Sequence, residues 1–318
     1  MKNKLAIASA FLAASSFSMG EIVINDSLSF QGYVDSSYLR GDFNNRGIPD
    51  SRIEETQIDK VEISWLFDFE AVTVQVDLEY DGVSSDITAQ QAFVNYALSG
   101  GSVVTVGRYV SMLGFEAKKP TGLFQSSTAY SIPSLKNALN LDFNARYGGL
   151  DGVKYTIASD TTFFGISVSQ VNDTDAEGDL DIVEVAASLD LGGGFSVFAG
   201  GSFAEDEQFS YEHYNAYVTY ETGAWLFAAE LNATDMPDDD SDIYSGLLMA
   251  NYEYSDIASV TARFSAVDWE DIAELTKYTL AHNYDFSDSL LLVTEVSHLD
   301  SEVSTSLTEY AVKLLFSF

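Results

Sequence analysis

The sequence predicts an all-β protein: a transmembrane antiparallel β-barrel of 16 strands, with a long loop folded inward after the fifth. Three observations carry this. Residue character alternates with period two, connections alternate between tight and long, and the last strand is apolar on one face only. In 309–318, Tyr310, Val312, Leu314, Phe316 and Phe318 share one face, while Glu309, Ala311, Lys313, Leu315 and Ser317 share the other. Successive strand side chains point to opposite faces, so such a strand suits a wall with lipid on one side and a lumen on the other. Phe318 is the expected closure residue, and its strand should pair with 27–40.

The amino terminus points to export. Lys2 and Lys4 precede an apolar run from Leu5 to Phe17, and Ser18 and Gly20 offer a cleavage pattern. The reading is a signal peptide over 1–20 and a barrel over 21–318. The leader is too short to span a bilayer as a helix, and no later segment is apolar enough. The chain has no cysteine, so a hydrogen-bonded ladder must hold it together. A net charge of −34 argues against nucleic acid as a partner. Its 18 Tyr and 21 Phe against 3 Trp suit interfacial girdles.

Alternation is cleanest where Val72, Val74, Val76, Leu78 and Tyr80 interleave with Thr73, Gln75, Asp77, Glu79 and Asp81. Sixteen such segments follow one another: 27–40, 56–69, 72–81, 87–98, 103–109, 147–158, 162–171, 180–191, 195–204, 211–221, 224–233, 242–254, 257–268, 274–286, 289–299 and 305–318. Most reach the roughly 9–11 residues that a tilted membrane strand needs.

Even-to-odd connections are tight, such as Glu70-Ala71, Thr222-Gly223 and Ser287-Asp288, and odd-to-even ones are longer and acidic. That asymmetry describes a bacterial barrel with both termini in the periplasm. Proline cannot donate to a ladder, and Pro49, Pro120, Pro133 and Pro237 all fall in long connections. Phe69, Tyr96, Tyr220, Tyr254, Tyr284 and Phe318 should form a girdle at the short-turn side. The competing reading is a soluble all-β protein rich in hairpins.

The longest connection, 110–146, follows the fifth segment, and unstructured loops of that length are usually functional. Before and within it lie Gln90-Gln-Ala-Phe-Val-Asn-Tyr-Ala-Leu98, Val106-Gly-Arg-Tyr-Val-Ser-Met-Leu-Gly-Phe-Glu116 and Pro120-Thr-Gly-Leu-Phe-Gln-Ser-Ser127. This stretch, 87–130, resembles the OmpL-like putative beta-barrel porins. The resemblance implies an outer-membrane porin of the 16-stranded type, whose long loop narrows the channel. It implies passive diffusion of small hydrophilic solutes and ions, no catalytic residues, and a homotrimer in the outer membrane of a Gram-negative-type bacterium. The expected partners are therefore outer-membrane lipid, the solutes and the barrel-assembly machinery. The alternative function is a non-conducting structural or adhesive barrel with acidic surface loops.

Alternation also assigns the lumen charges. Inward positions carry 12 acids: Glu62, Asp68, Asp77, Glu79, Glu184, Asp190, Glu221, Glu230, Glu253, Asp285, Glu295 and Glu309. Five bases oppose them: Lys60, Lys154, Arg263, Lys277 and Lys313. The constriction loop reverses the balance, with Lys118, Lys119, Lys136 and Arg146 against Glu116 and Asp142, and Arg108 is grouped with it. Either a transverse field results, or the loop bases pair with wall carboxylates to hold the loop. An acidic wall opposed by a basic loop would give a weak cation preference.

Asp173, Asp175, Glu177, Asp179 and Glu184 fall at the spacings of an EF-hand calcium loop, but the flanks read as strands rather than helices. A solvated acidic hairpin is the competing reading, and no other cofactor is expected. His213, His282 and His298 are scattered, with His282 outward, so no positioned base stands out for an enzyme.

Overall fold

The computed structural model describes residues 20–45, 51–82, 85–130, 149–172, 179–205, 210–235, 242–270, 273–301 and 305–318. A short arm, β1 (Ile22–Asn25), comes first. Half of the ring follows as β2 (Leu28–Asn45), β3 (Ser51–Phe69), β4 (Val72–Asp81), β5 (Ile87–Ala97), β6 (Ser102–Tyr109), β7 (Leu150–Ala158), β8 (Thr162–Asn172) and β9 (Asp179–Gly192). The other half is β10 (Phe195–Glu205), β11 (Ser210–Thr222), β12 (Trp225–Asp235), β13 (Ile243–Ser255), β14 (Ala258–Trp269), β15 (Ala273–Ser287), β16 (Leu290–Ser301) and β17 (Thr305–Ser317).

Each ring strand pairs antiparallel with the next. β17 returns to β2, from Thr305↔Asn45 to Ser317↔Tyr33, and the closed ring has 16 strands. Closure matters because an edge strand in lipid leaves N–H and C=O groups that cost several kcal/mol each. At the seam Gly32 N donates to Phe318 O at 2.8 Å and Phe318 N to Gly32 O at 3.0 Å. Beyond it, β1 takes over the same edge of β2, with Ile22↔Phe30 and Val23↔Ser29. Four exposed residues are too few to show a period, so β1 has no sequence signal of its own.

Two strands outrun their expected bounds. β2 continues to Asn45 and β3 begins at Ser51, giving 18 and 19 residues. Hydrophobic alternation stops where lipid stops, but the ladder need not. There the outer faces are tied by polar contacts: Tyr38 Oη donates to Glu54 at 2.6 Å, and Asp42 accepts from Arg40 and Arg52 at 2.7 Å each.

The faces sort as the alternation predicts. On β17, Tyr310, Val312, Leu314 and Phe316 are 44–46% exposed, whereas Ala311, Lys313, Leu315 and Ser317 are buried. At the short-turn end Phe195 stacks on Tyr220 at 4.2 Å and Trp225 on Tyr252 at 4.4 Å, so the girdle is a continuous aromatic surface. The β9–β10 turn depends on Gly194, at φ 87°, where a β-carbon would sit 2.0 Å from the Glu221 carbonyl oxygen. A bulge in β5, between Asp77↔Gln91 and Leu78↔Ala89, lets two successive side chains reach the lumen. Gln91 donates to Asp77 at 2.6 Å and Gln90 to Glu79 at 2.9 Å.

Candidate functional site

The long connection leaves β6, the fifth strand of the ring, and its described part, 110–130, crosses the lumen. Backbone without a ladder still has donors and acceptors to satisfy. Here the wall supplies the partners. Glu184 on β9 accepts from Ser111 Oγ at 2.5 Å and Met112 N at 3.2 Å. Asn215 on β11 accepts from Gly114 N at 3.1 Å, and Glu230 on β12 from Phe115 N at 2.7 Å. Glu295 on β16 accepts from the amides of Ser126 and Ser127 at 2.7 and 3.1 Å. Lys277 donates to Ser127 Oγ at 2.9 Å, and Lys313 to Ser126 O at 3.2 Å and Asp35 at 2.9 Å.

Ion pairs complete the tether. Arg263 on β14 bonds Glu116, whose other oxygen accepts from Ala129 N at 2.7 Å. Lys119 reaches Asp77 on β4 at 2.8 Å and Glu62 on β3 at 2.5 Å. Burial works against the Lys119 ammonium, but Asp77 and Glu62 outweigh it and hold its pKa above the ordinary lysine range. Apolar packing does the rest. Phe115, Ala129 and Tyr130 bury themselves against Leu226, Ala228, Leu247 and Met249, with Phe124 alongside. Met112 and Leu113 occupy the space left by two glycines. A β-carbon on Gly165 would come 2.5 Å from Met112 Sδ, and one on Gly200 would come 2.4 Å from Leu113 Cδ2.

Most of the candidate residues lie where alternation puts them. Lys60 and Glu79 form an inward pair at 3.0 Å, and Glu62, Asp77, Glu230 and Arg263 are buried beside the crossing segment. Lys154 lies 4.3 Å above the inward Tyr109 ring, and Lys118 is part-exposed in the segment. Glu253 has inward register but is exposed at the short-turn end of β13. Lys136 and Arg146 lie outside the described residues.

One assignment needs correction. Arg108 does not belong to the constriction. It shares a face with the outward Val106, and its guanidinium binds Asp151 on β7 through two bonds, at 2.7 and 2.6 Å. The side chain that turns inward at the end of β6 is Tyr109, one position on. Glu184, the last position of the expected calcium loop, faces the lumen, where its two oxygens accept from Ser111 and Met112 of the crossing segment. Asp173, Asp175 and Glu177 lie outside the described residues, as does the Asp179 side chain. Among the described residues no group of three or more His, Asp or Glu could hold a metal ion.

Asp35, Gln91, Asn215 and Tyr130 also bind within the lumen and were not among the candidates. The inner face of β2 mixes Tyr33 and Leu39 with Asp35, which hides the charge in an apolar-looking strand. Parity alone would have found it. The histidines stay apart: His213 is buried against Thr234, His282 lies outward on Tyr254, and His298 bonds Thr308.

No family model matches the chain, and no curated protein does. Solved structures do. OmpF of Salmonella typhi, in complex with daunomycin, superposes with TM-score 0.69 at 13% identity, covering 94% of this chain and 100% of its own. The anion-selective porin from Comamonas acidovorans gives 0.65 at 15%, covering 92% and 99%. The trimer form of in-vitro folded OmpT, an outer membrane protein of Vibrio cholerae, gives 0.62 at 11%, covering 92% and 99%. What these likenesses share with the chain is the fold, a closed 16-strand barrel of the bacterial outer membrane.

Proposed function

We propose that the protein is a porin, a passive diffusion channel for small hydrophilic solutes and ions, without enzymatic activity and assembled as a homotrimer. One observation carries the reading. The barrel interior is polar and charged, and the segment crossing it is pinned to the wall while the inward Lys60, Gln75, Asn95 and Thr156 of β3–β7 stay part-exposed. A structural barrel would gain nothing from an interior of paired charges, which cost desolvation that apolar packing avoids. The likeness of 87–130 to OmpL-like putative porins, and the existence of a trimer form among proteins of this fold, point the same way.

Planar-bilayer recording tests it. Purified protein should insert in discrete conductance steps, and graded sugars added to one side should reveal a size limit. A barrel that inserts but never conducts would support the structural or adhesive reading instead. Chemical cross-linking in the native membrane tests the trimer, and the mass of the mature chain tests cleavage after Gly20.

A further inference from the structure

The outer wall is not smooth. A groove of about 800 Å³ crosses it over β10–β16. Two rows of outward ladder partners, perpendicular to the strands, build it. The row nearer the short turns runs through Phe195, Tyr220, Phe227, Ala250 and Ala262. The next row up runs through Val218, Ala229, Leu248, Phe264 and Tyr278.

Bulk changes places between the rows. On β10–β12 the rings stand in the lower row and Ala229 lies above them. On β13–β15 the large side chains stand in the upper row, and Ala250 and Ala262 lie below them. The result is two lips with a floor of small residues passing between. Ring contacts stiffen the lips: Phe195 stacks on Tyr220 at 4.2 Å, Tyr220 on Phe227 at 6.4 Å, and Phe264 leans on Tyr278 at 5.1 Å. Alanines alone do not make a groove. Ala187 and Ala199 are also outward ladder partners, on β9 and β10, and they lie outside it.

The groove has a direction. Its lower end is the aromatic girdle at Phe195 and Tyr220. Its upper end is β16, where the outward face passes from Val296 to His298 and Asp300. Six strand spacings separate the ends, about 29 Å along the wall. One leaflet of hydrocarbon is only about 15 Å deep, so the groove is long enough for a whole lipid tail.

The wall lies in the bacterial outer membrane, so lipid meets it. Against a smooth wall a tail gains little, because its neighbours in the bilayer are equally apolar. In a groove it is enclosed on three sides and gains dispersion contacts along its length. The lips stand two residues apart along the strands, about 7 Å. That width admits one hydrocarbon chain and not the wall of a second barrel.

We propose that this groove seats one acyl chain of a membrane lipid, with the head group toward His298 and Asp300, so that the barrel carries a bound lipid. The seat depends on the barrel and its membrane, not on conduction.

Two measurements on the full barrel test it. In vesicles of phosphatidylethanolamine bearing a diazirine on its acyl chain, irradiation should label Leu248 and Phe264 well above the outward residues of β9 and β10. Ala250→Trp with Ala262→Trp fills the floor and should bring that labelling down to the β9–β10 level. Ala187→Trp with Ala199→Trp, a matched pair outside the groove, should leave it intact. Both double variants should keep the heat-modifiable gel mobility of a folded barrel. If the filled barrel fails to assemble, the wild-type labelling pattern decides alone. In native mass spectrometry from mild detergent, wild type and the Ala187→Trp, Ala199→Trp pair should retain one lipid per chain, and the filled barrel none. Labelling spread evenly around the ring, or an adduct that survives filling of the floor, overturns the seat. Cross-linking of two barrels through Ala262→Cys would overturn it too, and would assign the groove to a second copy of the chain.

Discussion

Asp77 on β4 and Glu230 on β12 face each other across the ring, eight strands apart in a barrel of 16, and one short stretch of chain holds both. Glu230 accepts from Phe115 N at 2.7 Å, and Asp77 accepts from Lys119 Nζ at 2.8 Å. Five residues, Phe115 to Lys119, therefore bridge the lumen. Their backbone spans at most about 17 Å when extended, and the long lysine side chain makes up the rest. The crossing segment is a strut fixed at both ends.

The two adjacent lysines of the strut should behave differently on charge reversal. Lys119→Glu would set a third carboxylate against Glu62 and Asp77, both almost fully buried. Breaking a buried pair by removing one partner costs about 3–5 kcal/mol. The segment should detach there, and the conductance and the sugar size limit should rise. Lys118→Glu breaks no bond, so it should leave the size limit unchanged and shift the reversal potential toward cations. Equal size limits in Lys119→Glu and wild type would show that the Lys119 tether does not set the aperture.

The other end of the strut is seated by fit. Gly165→Val would thrust side-chain atoms into the space of Met112, whose sulfur lies 2.5 Å from where the β-carbon must go. Overpacking of this kind costs about 1–3 kcal/mol. The variant should expose the segment to limited proteolysis and change single-channel conductance. Met112→Ala in the same chain should restore the wild-type pattern, because the clash is with that side chain. Persistent cleavage in the double variant would place the strain elsewhere.

How much of this was written in the sequence depends on whether a local period existed. β4 runs from Val72 to Asp81, as its alternation predicts, because every residue there faces either lipid or lumen. The same parity places Glu62, Lys60 and Arg263 correctly. It fails where the environment changes along a strand. Above the lipid the outer faces of β2 and β3 turn polar while the ladder continues, so their tips were cut short. Arg108 stands next to the loop in sequence, but its own parity points outward, with Val106. The path of 110–130 has no period at all. Glu184, Glu230 and Glu295 read simply as pore-lining acids, since only a backbone folded against them shows that they serve as its hydrogen-bond acceptors.

The acidic run 173–184 should show no calcium dependence. Its twelfth position, Glu184, is committed inside the lumen, and the bidentate ligand there is what completes an EF-hand. Proteolysis of the β8–β9 connection should therefore proceed at the same rate with calcium or with chelator. Calcium-dependent protection that disappears in Asp173→Ala with Asp175→Ala would restore a metal site, with a ligand other than Glu184 at its last position.

Closure of the ring rests on its final residue. Phe318 exchanges both backbone bonds with Gly32, and its ring meets Phe30 edge-on at 6.2 Å and lies beside Phe316 at 5.9 Å. Gly32 has no room for a side chain, since a β-carbon would come 2.8 Å from Phe318 Cζ and 2.4 Å from the Glu62 carbonyl oxygen. The seam is thus both the last rung of the ladder and part of the aromatic girdle. Phe318→Asp would keep the backbone rung but place a charge at the lipid boundary, and deletion would remove the rung as well. Both variants should lose the heat-modifiable gel mobility of a folded barrel, the deletion more completely. Gly32→Val should fail in the same way without touching the terminus. If Phe318→Asp assembled at wild-type yield while Gly32→Val did not, backbone closure alone would be sufficient and the aromatic ring would be dispensable.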